Sequence, residues 1–494
     1  MPFGDSEPAP NAGTPGWRER MLAACVLLLA TGLVLFEIGS KSLWYDEAFS
    51  ANAALRSWGE LLALVQTREV NMALYYGLLH AWMKFGNDDG YIRLLSAVFA
   101  VAAVGGTYLV GRRLLGGPIG LAAALLLAIN AFAVHYAQEA RSYALLLFLA
   151  VASVGLLLRA LTKPTPLRWM VFALTAAAMP YAHLIGVTMW AVHAVAIATY
   201  RPRPPRRMLA LAAAVPVIIV IPIMVISAAN VSRGVTWVPS PTPRLFLESW
   251  ISLLGSGVPR GTITSVGVAL AISGTALAGY GAVTQLARRG SERWAGLLII
   301  SWVAIAILLT LAVSAIKPLF VVRYLVLVVP AISLLVALGI VRLRWRAFQT
   351  IAAVGFVALA AGGLWGWYRE APKPDWRTAS AWLLARSQPS DRAIFEGDWG
   401  ASLEFYAHQE GTDKNLPLRL WRLDPADASF PAALRAALPA LHRDGHTLWV
   451  VSAESAPLNP MADPDFVALQ GQYDVVAHAT FDGVTITGLG PVAP

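Results

Sequence analysis

Apolar runs recur along this chain, each close to the roughly 20 residues that a helix needs to cross a bilayer. They lie near 20–38, 91–110, 118–134, 143–161, 168–181, 184–200, 208–228, 262–285, 294–315, 322–340 and 348–366, about eleven in all, of which the fifth and tenth are short. Lipid offers no partner to a backbone amide or carbonyl, so runs of this kind fold as helices that satisfy their own hydrogen bonds. Of 494 residues 57% are hydrophobic and 14% charged, more apolar surface than a soluble fold covers. The expected class is a polytopic α-helical membrane protein.

The net charge of +9 does not argue for nucleic acid. The cations gather in short turns between alternate pairs of runs: Arg112-Arg113, Lys163 with Arg168, Arg201 to Arg207, Arg288-Arg289 with Arg293, and Arg342 with Arg344 and Arg346. If every run spans, all fall on one side with Arg18 and Arg20, and the positive-inside rule makes that side cytoplasmic. An odd number of spans then sends the C-terminus outside, to the periplasmic face of an inner membrane. Cys25, the single cysteine, lies in the first run, so no intrachain disulfide or CxxC metal site is available. No A-x-A-like cleavage site closely follows that run, so it reads as a retained anchor. The Pro/Ala/Gly-rich residues 1–16 read as a disordered cytoplasmic tail.

Segments 39–90, 135–142, 229–261 and 316–321 then face outward, and their polar residues meet outside the membrane. Trp44-Tyr45-Asp46-Glu47 follows the first run and sets two adjacent carboxylates at the water face rather than within a span, where ion-pathway carboxylates sit. The 39–90 loop is amphipathic, with Trp58, Leu61, Leu62, Leu64 and Val65 and then Leu74 to Trp82, a pattern that lies in the interface. From about 370 the composition changes. Residues 370–494 read as a small extracytoplasmic α/β domain after the membrane domain 17–369, with strands at 393–395 and 448–451 and a helix at 429–442. No GxGxxG or GxxxxGK run supports nucleotide binding.

Ser42-Leu43-Trp44-Tyr45-Asp46-Glu47-Ala48, Leu74-Tyr75-Tyr76-Gly77-Leu78-Leu79-His80, Arg93-Leu94-Leu95-Ser96-Ala97 and Gln138-Glu139-Ala140-Arg141-Ser142-Tyr143-Ala144 resemble the GT-C glycosyltransferases. The similar branch holds the bacterial relatives of protein mannosyltransferases, aminoarabinose transferases and rhizobial galacturonosyltransferases. Arg323-Tyr324-Leu325 entering a late span is similar to a recurring feature of that branch. The resemblance covers roughly 40–340. Relatives carry Pro-Pro before the Leu-Tyr-Tyr run, where Met72-Ala73 stands here. The resemblance implies a GT-C fold and transfer of a sugar from a polyprenyl-phosphate donor to a glycolipid, polysaccharide or protein acceptor on the outer face, with inversion and no obligatory catalytic metal.

Inverting transfer needs a base for the acceptor hydroxyl and positive charge for the departing phosphate. Asp46 is the expected base. Glu47 orients the acceptor or binds a helix N-terminus, the pair's bland alternative being an N-cap with a solvated neighbour. Glu139 is the candidate second carboxylate and Arg141 a donor-phosphate ligand, because a guanidinium binds two phosphate oxygens at once; a snorkelling arginine beside a surface glutamate is the alternative. Lys317 and Arg323 lie outside against the positive-inside bias, as phosphate or headgroup ligands. Tyr143, His183 and Tyr324 are substrate-binding candidates, His183 serving equally well as a structural turn residue. The acidic pair holds Mg²⁺ or Mn²⁺ only with substrate oxygens completing the shell, so no cofactor is expected. The rival classes are a transporter or flippase, whose ionisable residues belong near the midplane, and a membrane scaffold, which needs no acidic pair.

Overall fold

The computed structural model describes residues 14–67, 69–230, 238, 240–256, 263–370, 373–396, 400–413, 416–423, 446–453 and 473–491. The expected helix at 429–442, most of the N-terminal tail, and Arg233 and Trp237 of the 229–261 segment lie outside the described residues. The chain divides into two units. One holds Met1–Ile38, Ser57–Leu78 and Arg93–Ala371, the other Gly39–Arg56, Leu79–Ile92 and Pro372–Pro494. Segments of the 39–90 loop therefore group with the C-terminal residues rather than with the helices that flank them in sequence.

The first unit is helical. Among the described residues seven helices are long and apolar enough to cross a membrane: Asp89–Leu115, Tyr143–Thr162, Arg206–Ala228, Ser265–Leu286, Gly290–Ile316, Val322–Val341 and Arg346–Arg369. An eighth is the pair Gly117–Ala128 and Ala131–Ala137, bent by 63°. The remaining expected spans appear as helices Trp17–Leu35, Pro166–Ala182 and Thr188–Thr199.

The sequence reads 118–134 as one continuous run, and the structure breaks it. Asn130 is the reason: its side chain accepts from Ala133 N at 3.0 Å, capping the second helix, while its amide donates to Leu253 O at 3.1 Å. An Asx side chain that bonds the following backbone favours a new helix start over continuation of the old one. The late span is also divided, into a 3₁₀ stretch Val322–Val328 and an α-helix Val329–Val341.

Helix packing in this unit relies on small residues and indoles, since lipid tails give apolar helices no hydrophobic reason to associate. Helices Ser265–Leu286 and Val329–Val341 touch backbone to backbone. A Cβ on Gly339 would stand 2.0 Å from Leu277 O, and one on Gly281 2.5 Å from Leu335 O. Trp294 Nε1 donates to Ala196 O at 3.0 Å and Trp302 Nε1 to Leu327 O at 2.9 Å.

Among the described residues the second unit contains a five-stranded mixed sheet of order β2-β1-β3-β5-β4, with β1 Arg392–Glu396, β2 Leu418–Leu423, β3 Leu448–Ala453, β4 Tyr473–Phe481 and β5 Val484–Pro491. β1 runs parallel to β2 and β3, and β5 antiparallel to β3 and β4. Both expected strands are present, as β1 and β3. Asp391 registers them, accepting from Thr447 N, Gln388 N and Trp449 Nε1 at 2.9–3.1 Å.

Helix Tyr45–Leu55 belongs to this unit and is fastened by polar contacts. Asn52 Nδ2 donates to Ala401 O at 2.8 Å, on helix Gly400–Gln409. Leu43 N donates to the Tyr406 hydroxyl at 2.7 Å, and that hydroxyl donates to Asp89 Oδ2, also at 2.7 Å. Arg377 bonds Asp89 and the Gly39 carbonyl. Burial and the Asp89 carboxylate raise the Tyr406 phenol well above its ordinary range, so it stays protonated and donates.

Candidate active site

In the second unit the acidic pair opens helix Tyr45–Leu55, where negative charge in the first turn is favoured by the helix dipole. The neighbours differ. Glu47 is fully buried, and its Oε2 accepts from Lys373 Nζ at 2.8 Å and from Trp44 N at 3.5 Å. The capping role that the sequence leaves open for Glu47 is thus present. Asp46 is only half-buried. Lys373, unflagged by the sequence reading, lies far along the chain, and its only signal was position at the start of the C-terminal segment.

In the first unit a second group of candidates surrounds His183. The break at Asn130 leads into helix Ala131–Ala137 and then into Gln138-Glu139-Ala140-Arg141-Ser142. Gln138 anchors this segment, donating to Val34 O and Phe36 O at 3.0 and 2.8 Å and accepting from Trp367 Nε1 at 2.8 Å. Glu139, buried, is 2.9 Å from His135 Nε2. The imidazole stacks on Trp367 with centroids 3.9 Å apart and on Tyr136 at 4.5 Å. Glu139, just past the end of helix Ala131–Ala137, therefore has its partner four residues back on that helix, and Arg141, two residues on, is badly placed to be one. Sequence reasoning missed His135, although it stands at the i−4 position.

Arg141 and Arg323 are both buried, at 8% and 7% exposure, and both act electrostatically on His183. His183 stands at the turn after helix Pro166–Ala182. Its Nδ1 accepts from Ile185 N at 3.3 Å, and its Nε2 lies 3.4 Å from Asn71 Nδ2. Asn71 Oδ1 in turn accepts from Leu184 N at 3.0 Å. The ring faces Tyr324 at 4.3 Å and Tyr143 at 6.1 Å, and the Arg323 guanidinium lies over Tyr324 at 5.8 Å. Burial, then the charges of Arg141 and Arg323, lower the His183 pKa to about 3. The imidazole is neutral at physiological pH, and the positive charge of the group is that of the arginines.

The structure thus gathers Arg141, Tyr143, His183, Arg323 and Tyr324 in the first unit and adds Asn71, which nothing in the sequence singled out. Lys317 caps the end of helix Gly290–Ile316 and is half-buried. Buried guanidiniums beside a neutral imidazole, an amide and phenols form a cationic, hydrogen-bonding cluster, and a guanidinium fork is a group that can meet an anion's oxygens two at a time. Among the described residues no group of three or more His, Cys, Asp or Glu is placed to hold a metal ion.

Residues 72–226, which carry Glu139, Arg141, Tyr143 and His183, match the family model for dolichyl-phosphate-mannose-protein mannosyltransferase. No curated protein matches the chain by sequence. Solved structures do match by fold. ArnT from Cupriavidus metallidurans bound to undecaprenyl phosphate aligns at TM-score 0.62 and 15% identity, covering 96% of this chain and 98% of that one. The archaeal oligosaccharyltransferase AglB from Archaeoglobus fulgidus, in complex with an inhibitory peptide and a dolichol-phosphate, aligns at TM-score 0.55 and 12% identity, covering 89% and 70%. Arabinofuranosyltransferase AftD from Mycobacteria aligns at TM-score 0.54 and 17% identity, covering 97% of this chain and 40% of that one. The chain is a multi-pass membrane protein. Its fold is that of the GT-C glycosyltransferases.

Proposed function

We propose that this protein is an inverting glycosyltransferase that moves a sugar from a polyprenyl-phosphate donor to a hydroxyl acceptor on the outer face of the membrane. The observation that carries the reading is the convergence of buried Arg141 and Arg323 on a neutral His183, within a GT-C fold and partly within the segment that matches the mannosyltransferase family. A similar structure is bound to undecaprenyl phosphate and another to a dolichol-phosphate, which supports a lipid-linked phosphate as the donor's anionic end.

In this mechanism Asp46 removes the acceptor hydroxyl proton as the oxygen attacks the anomeric carbon from the face opposite the phosphate. The bond from that carbon to the phosphate oxygen breaks, and the electron pair leaves with the polyprenyl phosphate. Arg141 and Arg323 stabilise that developing charge. Tyr324, Tyr143 and His183 bound the donor, and Lys317 is a further cation for the phosphate or for a lipid headgroup. Glu139 acts as a second carboxylate held by His135. Glu47 holds the helix that presents Asp46. No divalent cation is required. The cation-rich turns face the cytoplasm of an inner membrane, with the N-terminus, and the C-terminal residues lie in the periplasm. The acceptor is a glycolipid, a polysaccharide or a protein.

Transfer by purified protein in lipid, with a panel of radiolabelled polyprenyl-phosphate sugars and membrane extract as acceptor, tests the reading. Label entering a new product with wild type and not with Asp46→Asn supports it and identifies the sugar. No transfer from any donor by folded protein overturns it, and a flipping assay follows.

A further inference from the structure

The basic residues opposite the candidate active-site segments do not all have the same surroundings. Arg112 pairs with Glu19 at 2.9 Å, and Arg288 with Glu292 at 3.6 Å. Arg113, Arg159 and Arg168 have no acidic partner among the described residues. They come from three different helices, Asp89–Leu115, Tyr143–Thr162 and Pro166–Ala182, yet Arg113 and Arg168 both bond the turn that follows Arg159. Arg113 Nη2 donates to Thr162 Oγ1 at 2.5 Å, and Arg168 Nη1 to the neighbouring Lys163 carbonyl at 3.4 Å. Arg159 sits one helical turn before Lys163. Arg159 and Arg168 lie near enough to repel the Arg113 guanidinium.

Membrane orientation requires cations near the ends of the spans, and it is satisfied when they are spread out. Convergence costs repulsion, which an anion between them removes. Each guanidinium has several N–H donors in a planar fork, so Thr162 and the Lys163 carbonyl leave Arg113 and Arg168 with donors to spare. The surface beside the cluster is apolar: Leu167, Val171 and Leu174 are 73%, 39% and 48% exposed, and at spacings of four and three residues they share one helix face with Arg168 at its edge. A phosphate with a hydrocarbon tail fits charge and stripe together, whereas a soluble phosphate uses only the charge.

We infer that Arg113, Arg159 and Arg168 form a headgroup site for an anionic phospholipid whose acyl chain lies along Leu167, Val171 and Leu174. The site is separate from the donor-phosphate residues Arg141 and Arg323, and the inference does not depend on the proposed transfer activity.

Native mass spectrometry of the detergent-solubilised full chain tests it, with phosphatidylglycerol, phosphatidylcholine and glycerol 1-phosphate as probes. The expected result is retention of phosphatidylglycerol over phosphatidylcholine, lost by about tenfold or more in Arg113→Gln/Arg159→Gln/Arg168→Gln and kept in Arg203→Gln/Arg344→Gln/Arg346→Gln. Equal retention of the two lipids overturns the inference, as does an unchanged preference in the first triple variant. Displacement of phosphatidylglycerol by an equal concentration of glycerol 1-phosphate overturns the assignment to a membrane lipid. Should the triple variant fail to fold, Arg159→Gln replaces it. Its side chain is exposed, and the preference is expected to fall about fivefold; no fall overturns the site.

Discussion

Lys373 Nζ lies 2.8 Å from Glu47 Oε2, and this pair divides two carboxylates that are neighbours in sequence. Glu47 is fully buried at the start of its helix, while Asp46 is half-buried. Removing Lys373 leaves a charge in a fully buried position. Lys373→Met is therefore expected to destabilise the second unit by about 3–5 kcal/mol, read as a lower thermal midpoint in detergent. The double variant Lys373→Met/Glu47→Gln should recover much of that loss. Equal midpoints for single and double variants would show that the ion pair carries no stability.

Asp46→Asn should fold normally and lose turnover by about 100-fold or more, because the amide cannot take the acceptor proton. Donor binding, measured separately with a labelled polyprenyl-phosphate sugar, should persist. Near-normal turnover would remove Asp46 from the role of base.

Arg141→Ala and Arg323→Ala each delete a buried guanidinium beside His183. Donor affinity should fall about tenfold or more in each, the scale of a lost hydrogen bond to a charged group. Lysine at either position keeps the charge and loses the fork, so recovery should be partial. An unchanged donor dissociation constant would make the arginine structural.

His183 gives a pH prediction whose sign follows from its lowered pKa of about 3. Between that value and the ordinary 6.5 the unfolded chain binds a proton that the folded chain refuses. Stability from this group is complete above pH 6.5 and declines as pH falls toward 3. His183→Gln should flatten the acid side of a plot of thermal midpoint against pH, relative to wild type, and leave the slope between pH 7 and 8 unchanged. A variant with the wild-type acid slope would contradict a neutral buried imidazole.

Gly339→Val should destabilise by about 1–3 kcal/mol. Its Cβ would stand 2.0 Å from a backbone carbonyl oxygen, which no rotamer change relieves. A thermal midpoint within error of wild type would mean that helices Ser265–Leu286 and Val329–Val341 separate without cost.

The site was legible to the extent that its residues sit in short polar interruptions of apolar runs. Lys317 and Arg323 stood out because the expected topology sets them against the positive-inside bias, Arg141 because it stands two residues from Glu139 in a stretch that resembles the GT-C enzymes, and Asp46-Glu47 because it follows the first run directly. Asn71 and His135 carried no such signal. Each is an ordinary polar residue beside an apolar stretch, and its importance depends on what lies across the fold. Asn130 was readable as a helix start, yet the apolar run around it concealed the break. The hairpin β4–β5 was readable too: Asp482-Gly483, with Gly483 at φ 66°, is a dipeptide favoured at two-residue turns.

The sequence by itself determined that this chain lives in a membrane as a bundle of helices, because the length and composition of its apolar runs leave the backbone no other way to satisfy its hydrogen bonds in lipid. It also marked the acidic pair, Arg141 and Arg323, charged residues beside apolar runs, whose cost in such a place is local. Tertiary structure alone decided the partnerships: Glu47 with Lys373, Glu139 with His135, Asp89 with Tyr406 and Arg377, and the arginines with His183. It also decided that 39–56 groups with the C-terminal residues. Most of these contacts join residues far apart in sequence. Even His135 and Glu139, one turn apart, are fixed by Trp367 stacking from another helix, and no local pattern encodes which side chains a fold will bring within hydrogen-bond distance.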